Sequence, residues 1–437
     1  MSKNVVFSIV ARNYLSLAYA LGDSLKKYNG DYEYHIIIAD RFDGLDKNEE
    51  PFSVLSLEDI GLDTSLIEEL AFKYNITEFC TAVKPFTFDY FFKKGFTKAI
   101  YFDPDICTFS SLTPIFDELE KKSIVVTPHF FTAEENYTGT ISEQLLLHVG
   151  GFNFGFVGVS TIGAGQAFVN WWKNRLTNFC YQDKIEALHT DQKFGDLIPS
   201  FFSDDLFVSK DLGRNMSFWN LHERNLTVRE DSYFVENKIT NQQTNALIFY
   251  HFAGYEITRK GDLIHKNHRE YRFSDFPEID QLYKWYGEQL QKWNFQKYIS
   301  IDYGYSKFDN GTFIKHYHRR LYRRLLMDNA KIEKPFSNSS EKNNFYNLLK
   351  GNDLISKSKE NIDKANEVTL DSFDNKVKII NKLMILVKSV LGPDKYFLLM
   401  KFFQRYSKVE NQHFLLKECR KDYKFFNENR RGDFSVK

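Results

Sequence analysis

Two aspartates close the stretch AIYFDPDICTFS (99–110), Asp103 and Asp105, at the end of an apolar run. Residues i and i+2 of an extended strand point to the same side, so both carboxylates could converge on one ion. Hard oxygen ligands suit Mg²⁺ or Mn²⁺, with phosphate oxygens to complete the shell. The carboxyl end of a strand is also where open α/β sheets bind ligands. The competing reading is structural, because Asp-Pro-Asp after a strand makes a good Asx-type turn.

Two other chemistries fit less well. A phosphatase of the haloacid dehalogenase type carries its D-x-D on the first strand, followed two residues on by Thr or Val. Here that position is Cys107, and the motif lies far into the chain. A dinucleotide site would place G-x-G-x-x-G after the first strand. The chain has ARNYLSLAYALG there, so side chains and a metal would have to hold any nucleotide.

The elements that must position these acids alternate between strand-like and helical patterns, the mark of an α/β layer fold. Strands are predicted at Val5–Val10, 35–39 (HIIIA), 99–102, 124–127 (IVVT), 154–159 (FGFVGV) and 247–250. Helices are predicted after the first strand, with Leu17, Ala20, Leu21 and Leu25 on one stripe, and at 65–74, 87–93, 165–177 and 277–292. Pro277 stands at a helix start, where its missing N–H costs nothing. Asn310-Gly311 is the strongest local turn signal in a turn-rich stretch, 298–314. Basic residues then crowd a helical segment, 315–326. The segment 331–344 is polar and linker-like, and helices broken at Gly392-Pro393 follow.

With 437 residues the chain is long enough for two or three domains. Lys plus Arg and Asp plus Glu both number 58, so no global field points to nucleic acid. An aromatic content of 17% excludes a disordered chain. Cys80, Cys107, Cys180 and Cys419 are far apart and form no CxxC pair, which fits a reducing cytosol. The N-terminal apolar stretch is short for a signal peptide. No apolar run reaches the roughly 18 residues of a membrane span. A cytoplasmic protein is expected.

The ordered series YFDPDI, GFNFGF, HTDQ and HFAGYE over roughly residues 1–265 resembles the GT-A nucleotide-sugar glycosyltransferases, most closely the family 8-like branch that includes bacterial lipopolysaccharide galactosyltransferases and glycogenin. The resemblance implies a Rossmann-like, mostly parallel central sheet flanked by helices, with a helical C-terminal extension. It implies that Asp103, Asp105 and His251 ligate Mn²⁺ or Mg²⁺ bridging the donor diphosphate. Imidazole favours the manganese. On the donor side it implies Ala11, Asn13, Tyr14, Asp40 and Lys84, with Gly254 letting the backbone pass near the phosphates. In the family a lysine closely follows that glycine; here the next cations are Arg259 and Lys260. Asn153, Asp191 and Gln192 would face the transferred sugar, the amides both donating and accepting hydrogen bonds. Asp191 would otherwise be an N-cap for the KFGDLI segment. RNMSFWNLHER (214–224) resembles an acceptor-side loop, with Trp219, Asn220 and His222 against the acceptor and His129 on the opposite wall.

The expected reaction moves a sugar, with retention, from a nucleotide sugar to a glycan or lipid-linked acceptor in bacterial surface polysaccharide synthesis. A UDP-sugar is the first expectation for the donor. A binding protein on the same fold without catalysis, and a metal phosphohydrolase, are the alternatives. The expected domains are a catalytic 1–275, a helix and hairpin extension at 276–330, and a helical 331–437. The basic amphipathic patterns at 315–326 and 377–392 could lie on the inner face of an anionic membrane or pack on the catalytic core with solvated lysines.

Overall fold

The computed structural model describes residues 3–230, 232–240, 244–256, 262–265, 268–339, 344–356 and 372–421. The chain divides into two compact units. The first comprises Met1–Thr64 and Ile76–Gly304, and the second Ser65–Asn75 and Tyr305–Lys437. The changes of pattern at 275/276 and 330/331 each fall inside a unit.

The first unit is built on a seven-stranded sheet. Its strands, in chain order, are β1 (Asn4–Val10), β2 (Glu33–Ile38), β3 (Ser53–Leu55), β4 (Lys98–Phe102), β6 (Ile124–Pro128), β7 (Phe152–Ser160) and β8 (Leu206–Val208). A short β5 (Ile106–Thr108) lies outside it. The spatial order is β8-β6-β7-β4-β1-β2-β3. Strand β7 runs antiparallel to β4 and β6, and the other pairs are parallel. Strands β1 and β4 are buried along almost their whole length. That burial explains their unbroken apolar runs, since a parallel sheet is covered on both faces. Helices α1 (Leu15–Tyr28) and α3 (Ile76–Lys93) and the Gly165–Phe179 helix are packed against it. The mostly parallel sheet flanked by helices is as expected.

Three local expectations change. Helix α3 starts eleven residues earlier than expected and continues through Pro85, although proline normally ends or kinks a helix. Lys84 is therefore a mid-helix residue. The late strand is β9 (Phe249–His251), paired antiparallel to β5. Thirdly, the arginines of the basic His316–Met327 helix are not on a surface. Arg319, Arg320, Arg323 and Arg324 are all buried within the second unit.

What those arginines do follows from the ends of helices. The last carbonyls of a helix lack intrahelical donors. Arg319 Nη1 donates to the carbonyls of Ala71, Phe72 and Tyr74, where helix α2 (Thr64–Lys73) ends, and Nη2 donates to Tyr305 O. Arg323 pairs with buried Glu410 at 2.7 Å. Phe72 anchors the same place among Phe308, Tyr322, Phe336 and Phe345. Arg319→Met keeps the length of the side chain but strips four carbonyls of their donor. We expect it to lower stability by about 3 kcal/mol, read as a fall in urea midpoint. A loss under about 0.5 kcal/mol, the level of an ordinary surface substitution, would contradict this role.

Candidate functional site

Strand β4 ends at Phe102, so Asp103 and Asp105 are not strand residues. Ile106 N donates to Asp103 O at 3.1 Å, which makes Asp103–Ile106 a β-turn with proline at its second position. The turn and the convergence of carboxylates are the same structure. Strand alternation does not bring the acids together; the proline turn does.

The third group arrives from far along the chain. Pairing of β9 with β5 sets His251 opposite Ile106, and Phe252 N donates to Asp105 O at 2.8 Å. His251 Nε2 then lies 3.1 Å from Asp105 Oδ1 and 3.9 Å from Asp103 Oδ2. One ligand atom from each of the three residues lies within 4.8 Å of the others. Burial alone would lower the His251 pKa, but the charges of Asp105 and Asp103 outweigh it and hold it above the ordinary value.

A second layer aims the imidazole. His251 Nδ1 donates to Asn215 Oδ1 at 3.3 Å, leaving Nε2 toward the carboxylates. Asn215 is fully buried with a left-handed φ of 56°. Its Nδ2 donates to Thr127 Oγ1 and Asn153 Oδ1. Ser217 Oγ donates to His251 O at 2.7 Å, and the Trp219 ring stands edge-on to His251 with centroids 5.0 Å apart. Fixing the tautomer from the distal nitrogen is how metal-ligating histidines are commonly oriented.

Two carboxylates and an oriented imidazole match a Mn²⁺ or Mg²⁺ donor set. The space for an ion is kept by Gly155. A Cβ there would lie 2.5 Å from His251 Cε1, 2.8 Å from Asn153 Oδ1 and 2.9 Å from Asp103 Oδ2. Gly155, Asn215 and Tyr101, whose hydroxyl donates to Asp103, are site residues that the sequence reading passed over. The second glycine of GFNFGF and the first asparagine of RNMSFWNLHER (214–224) are the signals in the sequence.

Beside this cluster a pocket of about 300 Å³ opens between β1, α3, β4, β7 and the 189–192 turn. Ala11, Tyr14, Lys84, Asp103, Asn153, Asp191 and Gln192 line it. Lys84 and Asp191 are each 3% exposed. Lys84 Nζ donates to Asp191 Oδ2 and to Phe154 O, both at 2.8 Å, and lies 3.8 Å from Asp103 Oδ1. Burial opposes its charge, but Asp191 and Asp103 raise its pKa above the ordinary value, so Lys84 is cationic. Burial pushes Asp191 above its ordinary value, and Lys84 offsets this only in part. Cys80, also in the lining, is pushed up to about 12 by burial and stays a thiol.

Other expected contacts fall elsewhere. The Asp40 carboxylate accepts from Arg12 N and Nε, Arg41 N and Gly304 N, and Asp40 is not among the pocket-lining residues. It ties two loops together. Asn13 likewise is absent from the lining. Asn220 is fully buried; its amide donates to His129 O and Asn215 O, and its Oδ1 accepts from Ser217 N. Its polar atoms are committed to the loop that carries Asn215 and to the His129 carbonyl. His129 is a neutral support as well. Burial lowers its pKa to about 4, Nδ1 donates to Gly151 O, and Nε2 accepts from Asn153. His222 packs edge-on between Phe130 and Tyr137, 3.6 Å from Glu134. Trp219 is buried between His129 and His251. Gly254 has φ 70°, and a Cβ there would meet the His265 ring. Arg259 and Lys260 lie outside the described residues.

No family model matches the sequence. The uncharacterized protein YfnF of Bacillus subtilis (strain 168) is 24% identical over 288 residues, covering 63% of this chain and 89% of its own length. Among solved structures, the galactosyltransferase LgtC in complex with donor and acceptor sugar analogues is 14% identical, with a TM-score of 0.38 over 66% of this chain and 95% of that one. The glycosyltransferase GlyE of Streptococcus pneumoniae TIGR4 is 12% identical, with a TM-score of 0.37 over 70% and 67% of the two chains. Mouse xyloside xylosyltransferase 1 is 11% identical, with a TM-score of 0.33 over 57% and 97%.

Gly155→Ala tests the cradle with one methyl group. Mn²⁺ binding, followed by electron paramagnetic resonance of the free ion, should weaken by about tenfold or more with the circular dichroism spectrum unchanged. Wild-type affinity in this variant would show that an ion does not sit there.

Proposed function

We propose that this chain is a metal-dependent glycosyltransferase of the GT-A kind, taking a sugar from a nucleotide-diphosphate sugar, a UDP-sugar first among candidates, to a glycan or lipid-linked acceptor in bacterial surface polysaccharide synthesis. One observation carries the reading: Asp103, Asp105 and His251 converge beside a pocket that Asp103 lines and whose wall holds a buried cation, Lys84, against Asp191.

Asp103, Asp105 and His251 would hold Mn²⁺ or Mg²⁺, which when bound supplies charge stabilisation for a diphosphate leaving group. The chain's own residues divide the remaining work. Ala11 and Tyr14, the latter 41% exposed, border the pocket and offer backbone and ring to a nucleoside. The Lys84 ammonium is held in place before any ligand arrives, so its field acts without reorganisation. Asn153 is fixed by His129 and Asn215, and Asp191 by Lys84. Both face the pocket, where sugar hydroxyls need donors and acceptors at set positions. Gln192 holds β7 through Phe154 N and anchors to Val149 O, so it shapes the sugar side through the backbone. A pocket of about 300 Å³ lies at the small end of the usual range for ligand sites. We propose retention of the anomeric configuration, checked by NMR of the product.

Asp105 makes a cleaner test than Asp191. Neutralising Asp191 would strand the buried Lys84 charge, at a cost of about 3–5 kcal/mol, whereas the Asp105 side chain is 25% exposed. A panel of nucleotide sugars with Mn²⁺, assayed for donor hydrolysis and transfer, should yield turnover with at least one donor. Asp105→Ala should reduce that turnover by at least about a hundredfold at unchanged melting temperature. Turnover with no donor, or full activity in Asp105→Ala, would reject the reading.

A further inference from the structure

The Phe373–Leu391 and Pro393–Tyr406 helices in the second unit are joined through Gly392, whose φ is 77°. They touch one another, yet neither has a buried residue. The spacing within the first helix explains why this is unusual. Phe373, Val377, Met384 and Val387 recur at helical spacing and are half-buried, and so form one face. A second apolar stripe stands about a third of a turn away. It consists of Ile379, Leu383, Leu386 and Val390, which are 68%, 53%, 60% and 76% exposed. In the following helix Phe397 and Leu398 are 64% and 54% exposed. Packing of one apolar face against a neighbour accounts for the half-buried set and leaves the stripe in water. A soluble helix normally puts charge there, and contiguous exposed apolar surface marks an interaction site.

The charges around the stripe define its partner. On a helical wheel Lys382 and Lys376 flank it on either side. The two helices carry seven Lys and Arg against two Asp. A symmetric pairing of two copies through the stripe would bring these flanking lysines face to face, which is repulsive. Anionic lipid headgroups instead complement them, at about 1 kcal/mol for each basic residue near the surface. Among the described residues no helix is long and apolar enough to cross a membrane, so the arrangement fits a helix lying in the interface plane. We infer that the Phe373–Leu391 and Pro393–Tyr406 helices bind the surface of an anionic membrane, with Ile379, Leu383, Leu386 and Val390 entering the headgroup and acyl boundary and the lysines on the headgroups. The inference stands apart from the proposed reaction.

Flotation of the full chain with vesicles tests it, using phosphatidylcholine alone and phosphatidylcholine mixed with phosphatidylglycerol. The protein should float with the anionic vesicles and stay behind with the neutral ones. A triple variant, Leu383→Ser with Leu386→Ser and Val390→Ser, leaves the half-buried face intact. It should lower partitioning by about tenfold or more with unchanged helicity. Lys376→Glu with Lys382→Glu should act in the same direction. No flotation of the wild type, equal partitioning of the triple variant, or a wild-type dimer by light scattering that the triple variant dissolves would each overturn the inference.

Discussion

Lys84 and Asp191 are buried together, and the pocket is organised by the need to satisfy them. An ammonium taken out of water needs opposite charge and hydrogen-bond acceptors at short range. Lys84 obtains them from Asp191, the Phe154 carbonyl and, further off, Asp103. Those contacts clip together helix α3, strand β7, the 189–192 turn and the end of β4. Thr190 takes a left-handed φ of 47° in the residue before Asp191, and Gly150, with φ 109°, lets the Gln192 backbone pass where a Cβ would stand 2.8 Å from its carbonyl oxygen. The strained turn and the glycine are both consequences of delivering one carboxylate to one lysine.

The same logic orders the neighbouring cluster. Asp103 has Tyr101 and Lys84 on one side and His251 on the other. His251 is held by Asn215, and Asn215 by a loop whose shape depends on Asn220. Buried amides that make all their bonds rigidify such a loop, and partly bonded ones would cost stability. Trp219, Asn220 and His129 thus support the loop and rings that hold His251 and Asn153.

Much of this was legible in the sequence where local pattern determines structure. Strands β1, β4 and β7 read directly from unbroken apolar runs because a covered sheet needs them. The Asp103–Asp105 pair, Asn153, Asp191 and His251 were identifiable as groups whose types suit one site, and the structure brings them to one place. What was not legible depended on long-range partners. Helix α3 continues through Pro85 because packing on the sheet outweighs local propensity. That the Asp40 carboxylate accepts from Gly304 N was not legible, because the partner lies 264 residues away. The arginines at 319–324 read as a surface charge run because a sequence does not show that carbonyls at the end of α2 await Arg319 and that Glu410 awaits Arg323. The basic amphipathic pattern at 377–392 was visible, but the exposure of Ile379, Leu383, Leu386 and Val390 was not.

The central claim is that Asp103, Asp105 and His251 hold a divalent ion beside a nucleotide-sugar pocket. Anomalous diffraction at the manganese edge, from crystals grown with Mn²⁺ and UDP, tests it most directly. The account predicts a single strong peak bounded by the two carboxylates and His251 Nε2, with the diphosphate on its open side and the nucleoside toward Tyr14. A strong peak elsewhere with this cluster empty, or UDP bound in the pocket with no ion at these three residues, would contradict it.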